Sequence, residues 1–296
     1  MMMLELLAKP VVQAAVADTL GECVLWDERL QTLRWLDILG KRIWRLGPED
    51  ATPAMLSTST RPACMALTAD PQRLLVGFED GLSFLNTESG EATRLCDVDT
   101  DKPYTRLNDG RCDRDGNFLF GTYDEVEQKP RGTWYRYTAA GQLEKLHLPP
   151  VAIPNSLCLS LDGRTLYFSD GVARCIQCCD YDARTGQVSN LRVFAPVPEG
   201  YPDGSTVDAQ GYIWNAEWGS SRVVRYRPDG QIDRVISVPV SQPSCVAFGG
   251  AALDTLFITS ARVGLSAEHL ATQPQAGHLF TVKMNDVKGI TESRWG

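Results

Sequence analysis

Pro154-Asn155-Ser156-Leu157-Cys158-Leu159-Ser160-Leu161-Asp162-Gly163-Arg164-Thr165-Leu166-Tyr167-Phe168-Ser169-Asp170 reads as a strand, an Asp-Gly turn and a second strand, with a proline and an amide at its head. The pattern recurs. Turns rich in Asp, Asn or Gly fall at Trp26-Asp27-Glu28, Asp70-Pro71, Asp115-Gly116-Asn117, Asp162-Gly163, Asp208-Ala209-Gln210-Gly211 and Gly249-Gly250. They lie about 40 to 48 residues apart, the period of propeller blades. Each repeat continues with further strand-like runs, such as Leu74-Leu75-Val76-Gly77 and Leu82-Ser83-Phe84-Leu85 around Glu79-Asp80-Gly81, or Tyr212-Ile213-Trp214-Asn215-Ala216 followed by Val223-Val224-Arg225-Tyr226. The expected fold is all-β: a six-bladed β-propeller with four-stranded blades and a central channel, residues 1–296 forming one domain. Val11–Val16 is expected to pair with the last blade and lock the ring, and the only helical signal is Ser266–Leu270.

A propeller brings residues far apart in sequence to one axis. Asn108, Asn155 and Asp203 each precede a turn glycine by eight residues, and the same offset before Pro71 gives Ala63. The equivalent places in the outer repeats are Glu22 and Ser244. One position, sampled six times, therefore reads Glu22, Ala63, Asn108, Asn155, Asp203, Ser244. Proline precedes Ala63, Asn155, Asp203 and Ser244, as suits the start of a strand. A ring of carboxylate and amide oxygens at a channel mouth suits a hard cation or a polar ligand; the plainer reading is that these side chains satisfy turn backbone. Glu22, Asn155 and Asp203 offer oxygen only, which fits Ca²⁺, Mg²⁺ or Mn²⁺ and tolerates Zn²⁺ or Fe²⁺, and three ligands leave open positions on one divalent ion. Arg106 and Asn108 share a face of one extended strand, so Arg106 can hold a hydroxylated substrate; its plainer role is to pair with a loop carboxylate. Asp109 and Gly110 are expected to make a turn.

Composition sets the bounds. The chain has 296 residues, is 43% hydrophobic and carries a net charge of −8, which fits a globular protein and argues against nucleic acid or an anionic membrane as partner. No apolar run approaches a membrane span, and Met1-Met2-Met3-Leu4-Glu5-Leu6-Leu7 lacks the basic start of a secretion signal, so a cytoplasmic protein is expected, and a monomer because the closed ring leaves no unpaired seam. Nine irregularly spaced cysteines include Cys175-Ile176-Gln177-Cys178, half a zinc site with no second half; free thiols are expected. The histidines, His147, His269 and His278, are scattered and argue against a His-based metal site.

Seven motifs, in this order, carry a resemblance: Gly21-Glu22-Cys23-Val24-Leu25-Trp26-Asp27, Arg106-Leu107-Asn108-Asp109-Gly110, Pro154-Asn155-Ser156-Leu157, Tyr181-Asp182-Ala183-Arg184-Thr185-Gly186, Pro202-Asp203-Gly204, Cys245-Val246-Ala247-Phe248-Gly249-Gly250 and Gln273-Pro274-Gln275-Ala276-Gly277. The chain resembles the SMP-30/gluconolactonase/regucalcin-like family over nearly its whole length. The resemblance implies a six-bladed propeller, one divalent ion held by Glu22, Asn155 and Asp203, substrate contacts from Arg106 and Asn108, and hydrolysis of a sugar lactone. Cys23 and Val24 stand where that family often has a third glycine, or proline, near the first motif. Where some members bind substrate through an acid, the ungapped position here is Val126; Asp124, Glu125 or Glu127 can replace it by a loop shift, and Glu125 is taken as the substrate contact. The expected reaction has the ion polarise the lactone carbonyl while Asp203 serves as general base. The alternatives are a non-catalytic calcium-binding regulatory propeller, disfavoured by a cation at Arg106, a propeller esterase of the kind that recruits histidines, and a protein-binding scaffold.

Overall fold

In the computed structural model, which describes residues 9–296, six antiparallel sheets ring a central channel. The secretion-signal reading of residues 1–7 lies outside the described residues. The innermost strands are Gly21–Asp27, Pro62–Thr68, Thr105–Cys112, Pro154–Leu159, Tyr201–Val207 and Pro243–Gly249. In the first five blades the chain then steps outward by hairpins through four successive strands, and in the sixth through three. Sheets face sheets on both sides, and the inner strands, except the half-buried Thr105–Cys112, are buried along nearly their whole length instead of alternating. Aromatic residues fill the spaces between blades: Trp26, Trp35 and Phe257 join the first blade to the sixth, and Trp134 with Phe168 joins the third to the fourth. The outermost strands, such as Ala92–Asp97 and Gln187–Pro196, face solvent.

Val11–Ala14 pairs antiparallel with Leu279–Lys283, so the N-terminal segment supplies the outer strand of the sixth blade and closes the ring as expected. The expected helix forms over Ala267–Thr272, with the Ser266 side chain accepting the His269 N–H at its start. Among the described residues no helix is long and apolar enough to cross a membrane. One blade departs from four strands. Arg294–Trp295 lies parallel to the inner edge of Pro62–Thr68 and makes the second sheet five-stranded. The tail crosses the far end of the channel on its way there: Asp208 bridges Gly289, Arg111 donates to Glu292 at 2.8 Å, and Trp295 stacks on Tyr137.

All six inner strands share one irregularity. The pairing register with the second strand slips between Glu22 and Leu25, Pro62 and Cys64, Leu107 and Gly110, Asn155 and Cys158, Pro202 and Ser205, and Pro243 and Val246. Each slip is a β-bulge at the position picked out by the turn offset. An extra residue there bends the strand and re-aims the side chains around it. In the first and fourth blades the residue after the ring position, Cys23 or Ser156, adopts a left-handed φ of 49° or 64°, a conformation costing of order 1 kcal/mol that the packed blades hold in place.

Candidate metal and substrate site

The bulges turn Glu22, Asn108, Asn155 and Asp203 toward one cavity of about 530 Å³ at the channel mouth, which Arg106 and Glu125 also line. Asp203 is 6% exposed, and its own backbone carbonyl is clamped by Ser156 Oγ and Asn215 Nδ2, both at 2.7 Å. Asn155 Oδ1 accepts from Asn108 Nδ2 at 3.0 Å, and the same amide donates to Pro154 O at 2.9 Å. Arg106 Nη1 donates to Asn108 Oδ1 at 2.9 Å and to Leu107 O at 2.7 Å, while its guanidinium stacks over Tyr123 at 4.5 Å. Five strands from three blades are thus tied into one frame. A larger groove of about 640 Å³ on the outside, lined by residues such as Arg114, Asp162, Arg164 and Asp182, is remote from this chemistry.

Among the described residues the carboxylates of Glu22 and Asp203 form no salt bridge; Arg106, whose charge acts on Glu22, is engaged by Glu125. Burial raises the Glu22 carboxyl, with the Asp109 charge adding to it. Burial also raises Asp203 well above the usual carboxylate range, and the charges of Glu22 and Asp109 push it further. Two crowded acids with a neighbouring amide oxygen, and no protein cation between them, form a donor set that a divalent ion fits. Among the described residues no three His, Cys, Asp or Glu side chains cluster as ligands by themselves, so such a set requires the Asn155 amide.

Asp109 corrects the sequence reading. It sits inside the strand Thr105–Cys112, not in a turn, because the bulge at Leu107–Gly110 displaces it; its Oδ2 accepts the Leu157 N–H at 2.9 Å, and its charge acts on both Glu22 and Asp203. Gly110 is likewise in the strand, where a Cβ would stand 2.9 Å from Cys64 Sγ. Ser244, at the sixth ring position, turns its hydroxyl to Gly21 O and Thr259 Oγ1, away from the cavity. Of the acidic loop, Glu125 alone reaches the cavity. Asp124 folds inward and caps the Val126 and Glu127 N–H groups, Glu127 pairs with Lys129 and Arg131 outside, and Val126 is 75% exposed. Glu125 does pair with Arg106, so the cavity-lining and ion-pair readings of Arg106 hold together. Sequence reasoning missed the aromatic and apolar walls, Tyr123, Tyr201, Trp218 and Val172, which sit at strand ends and loops with no repeat signal. All nine cysteines are free, and no histidine lines the cavity.

Fold and site together define a six-bladed propeller with an oxygen-donor mouth. The SMP-30/Gluconolactonase/LRE-like region matches residues 20–262, and the chain belongs to that family. It is similar to an L-arabinolactonase of Azospirillum brasilense, 47% identical over 91% of this chain and 90% of that one, and to a 6-deoxy-6-sulfogluconolactonase of Pseudomonas putida, 35% identical over 93% and 94%. Among solved structures it is similar to a calcium-binding protein, regucalcin, from Agrobacterium tumefaciens, with a TM-score of 0.91 and 32% identity over 98% of each chain.

Proposed function

We propose that this protein hydrolyses the lactone of a sugar acid to the open aldonic acid, with one divalent ion held by Glu22, Asn155 and Asp203. The observation that carries the reading is the convergence, at the channel mouth, of two carboxylates that form no salt bridge among the described residues, one amide oxygen and one arginine. Bound there, the ion would supply a Lewis acid for the lactone carbonyl. Arg106 keeps Nη2 free of protein partners among the described residues, so it can donate to a ring hydroxyl or to the developing oxyanion. Asn108 fixes both Arg106 and Asn155, and Glu125 offers carboxylate oxygens to sugar hydroxyls.

Asp203 is the general base. It lines the cavity beside Glu22 and Asn155, and its clamped carbonyl holds the side chain at the mouth. Asp203 takes a proton from water as the water oxygen bonds to the carbonyl carbon. The bond from that carbon to the ring oxygen then breaks, and Asp203 returns the proton to the departing oxygen. The product is the hydroxy acid. Lactones of five- and six-carbon aldonic acids fit the reading, with L-arabinolactone first to be tried given the Azospirillum relative. The proposed partner is therefore a small neutral molecule, with the protein acting as a monomer in the cytoplasm.

The test is initial-rate hydrolysis of pentono- and hexonolactones on chelated protein, and again after adding Ca²⁺, Mn²⁺, Mg²⁺, Zn²⁺ or Fe²⁺. Turnover restored by an ion supports the reading. Tight ion binding without turnover on any lactone would replace it with the regulatory calcium-binding reading, to which the Agrobacterium neighbour lends support.

A further inference from the structure

Blade 2 brings no oxygen to the ring, since Ala63 stands there, but two residues earlier it brings Arg61. The Arg61 guanidinium forks between two acids. Its Nε donates to Glu79 at 2.5 Å, while Nη1 and Nη2 donate to the two oxygens of Glu125 at 2.6 and 2.9 Å. Arg106 Nε reaches the same Glu125 Oε1 at 3.3 Å. Glu125 and Arg106 line the cavity; Arg61 and Glu79 stand behind them. The backbone couples the same elements: Glu79 N–H donates to Arg61 O at 3.0 Å, and Leu107 N–H, beside Arg106, donates to Glu79 O at 3.2 Å. Two guanidinium groups thus face two carboxylates, and the quartet has no net charge.

A bidentate arginine fixes both the position and the plane of a carboxylate, which a lysine cannot do. Without Arg61 the loop side chain Glu125, 35% exposed, would keep only the longer contact to Arg106. Resting on the lactonase reading, we propose that Arg61 is a positioning residue that presents Glu125 to a sugar hydroxyl, and that the balanced quartet selects uncharged aldonolactones over lactones bearing an anionic group. An extra anion against this wall meets the Glu125 carboxylate, and the charges of Arg61 and Arg106 are already balanced by Glu125 and Glu79, although Arg106 Nη2 stays open to a ligand oxygen. Removing the Glu125 charge would leave two guanidinium groups against Glu79 alone.

The experiment measures kcat and KM of the ion-loaded enzyme for an uncharged pentonolactone and for a hexonolactone carrying a sulfonate at C6, with ion affinity determined separately by calorimetry. Arg61→Ala should raise KM for the uncharged lactone about tenfold, change kcat by less than about threefold and leave ion affinity unchanged. Arg61→Lys should recover only part of the loss, because charge returns without the fork. Glu125→Gln should shift the kcat/KM ratio about tenfold toward the sulfonated lactone. An Arg61→Ala enzyme with wild-type KM, full rescue by Arg61→Lys, a parallel fall in kcat and ion affinity, or no shift in Glu125→Gln would each overturn the inference. If Arg61→Ala does not fold, Glu79→Gln loosens Arg61 from one side and should raise KM about threefold; no rise would count against the proposal. A wild-type protein inert on every lactone overturns the lactonase reading and this inference with it, whereas an active enzyme whose KM ignores Arg61 overturns this inference alone.

Discussion

Replacing Glu22 with Gln should make the metal-free protein more stable. Burial, with the Asp109 charge added, moves the Glu22 carboxyl from its ordinary 4.5 to about 8. Between 4.5 and pH 7 lie about 2.5 pH units, each worth ~1.36 kcal/mol, so ionisable Glu22 costs the folded metal-free state up to about 3 kcal/mol at pH 7. The side chain is only partly screened from water at the mouth, which brings the expected gain from Gln to about 1–3 kcal/mol, or roughly 2–6 °C in Tm for a chain of this length. The sign follows from linkage. A carboxyl raised in the folded state holds a proton that the unfolded chain has lost, so the cost is absent below about pH 4.5 and grows as pH rises toward 8. Wild-type stability should therefore fall over that window, and Glu22→Gln should fall less. Urea or thermal unfolding followed by far-ultraviolet circular dichroism, in chelator at pH 5 and pH 7.5, reads this directly. Adding a saturating divalent ion should reverse the order, because binding to the folded state alone stabilises by RT ln(1 + [L]/Kd), about 2.7 kcal/mol at a hundredfold excess over Kd, and Gln forfeits most of it. A Glu22→Gln protein less stable than wild type in chelator at pH 7.5, or one stabilised equally by the ion, would refute the reasoning.

Two further perturbations probe the frame around the site. Asp18, 2% exposed, accepts the indole N–H groups of Trp35 and Trp44 at 2.9 and 2.8 Å, and burial, with the Asp37 charge added, pushes its carboxyl up to about 7. By the same sign, wild-type stability should decline between about pH 4 and 7 on its account; Asp18→Asn should flatten that slope at a fixed cost of about 1–3 kcal/mol for an indole N–H facing an amide donor, as measured by urea unfolding across pH. A Cβ on Gly204 would stand 2.6–2.7 Å from Cys245 Sγ, Cβ and Cα, so Gly204→Ala should cost about 1–3 kcal/mol and displace the adjacent Asp203. Its lactonase rate should drop at least about tenfold, and Cys245→Ala in the same chain should restore only part, since the clash with the Cys245 backbone remains.

The period of the turns was enough to read six blades, and the eight-residue offset found the mouth position, because a propeller repeats one hairpin geometry and each hairpin carries local turn chemistry. Asp109 was illegible because Asp109-Gly110 carries the signature of a turn, whereas the register slip between Leu107 and Gly110 keeps both residues inside the strand. Ser244 shares the offset but not the orientation: its hydroxyl finds Thr259 and a carbonyl of the first blade across the seam, a choice that only tertiary neighbours decide. Arg294–Trp295 is too short for periodicity, and its partner strand lies more than two hundred residues upstream. Arg61 carries no motif of its own; its meaning comes from Glu79 in its own blade and Glu125 in the next.

How each group is placed also bears on how the site works. Groups that sit on the inner strands, Glu22, Asn108, Asn155 and Asp203, are placed by a repeated bulge and braced by neighbouring blades, so their geometry follows from the fold. Groups that shape the rest of the cavity, Glu125, Val172, Tyr201 and Trp218, sit on loops and strand ends and are placed by side-chain partners such as Arg61 and by Arg174, which stacks on Tyr201 at 4.4 Å. The first set is rigid because moving any member breaks sheet pairing; the second can be rebuilt by changing one partner without disturbing a blade. On the proposed reading, ion binding and substrate choice are therefore expected to be separable. A change at Arg61 or Arg174 should act on KM and leave ion affinity alone, whereas a change at Asn108 or Asn155 should alter both together.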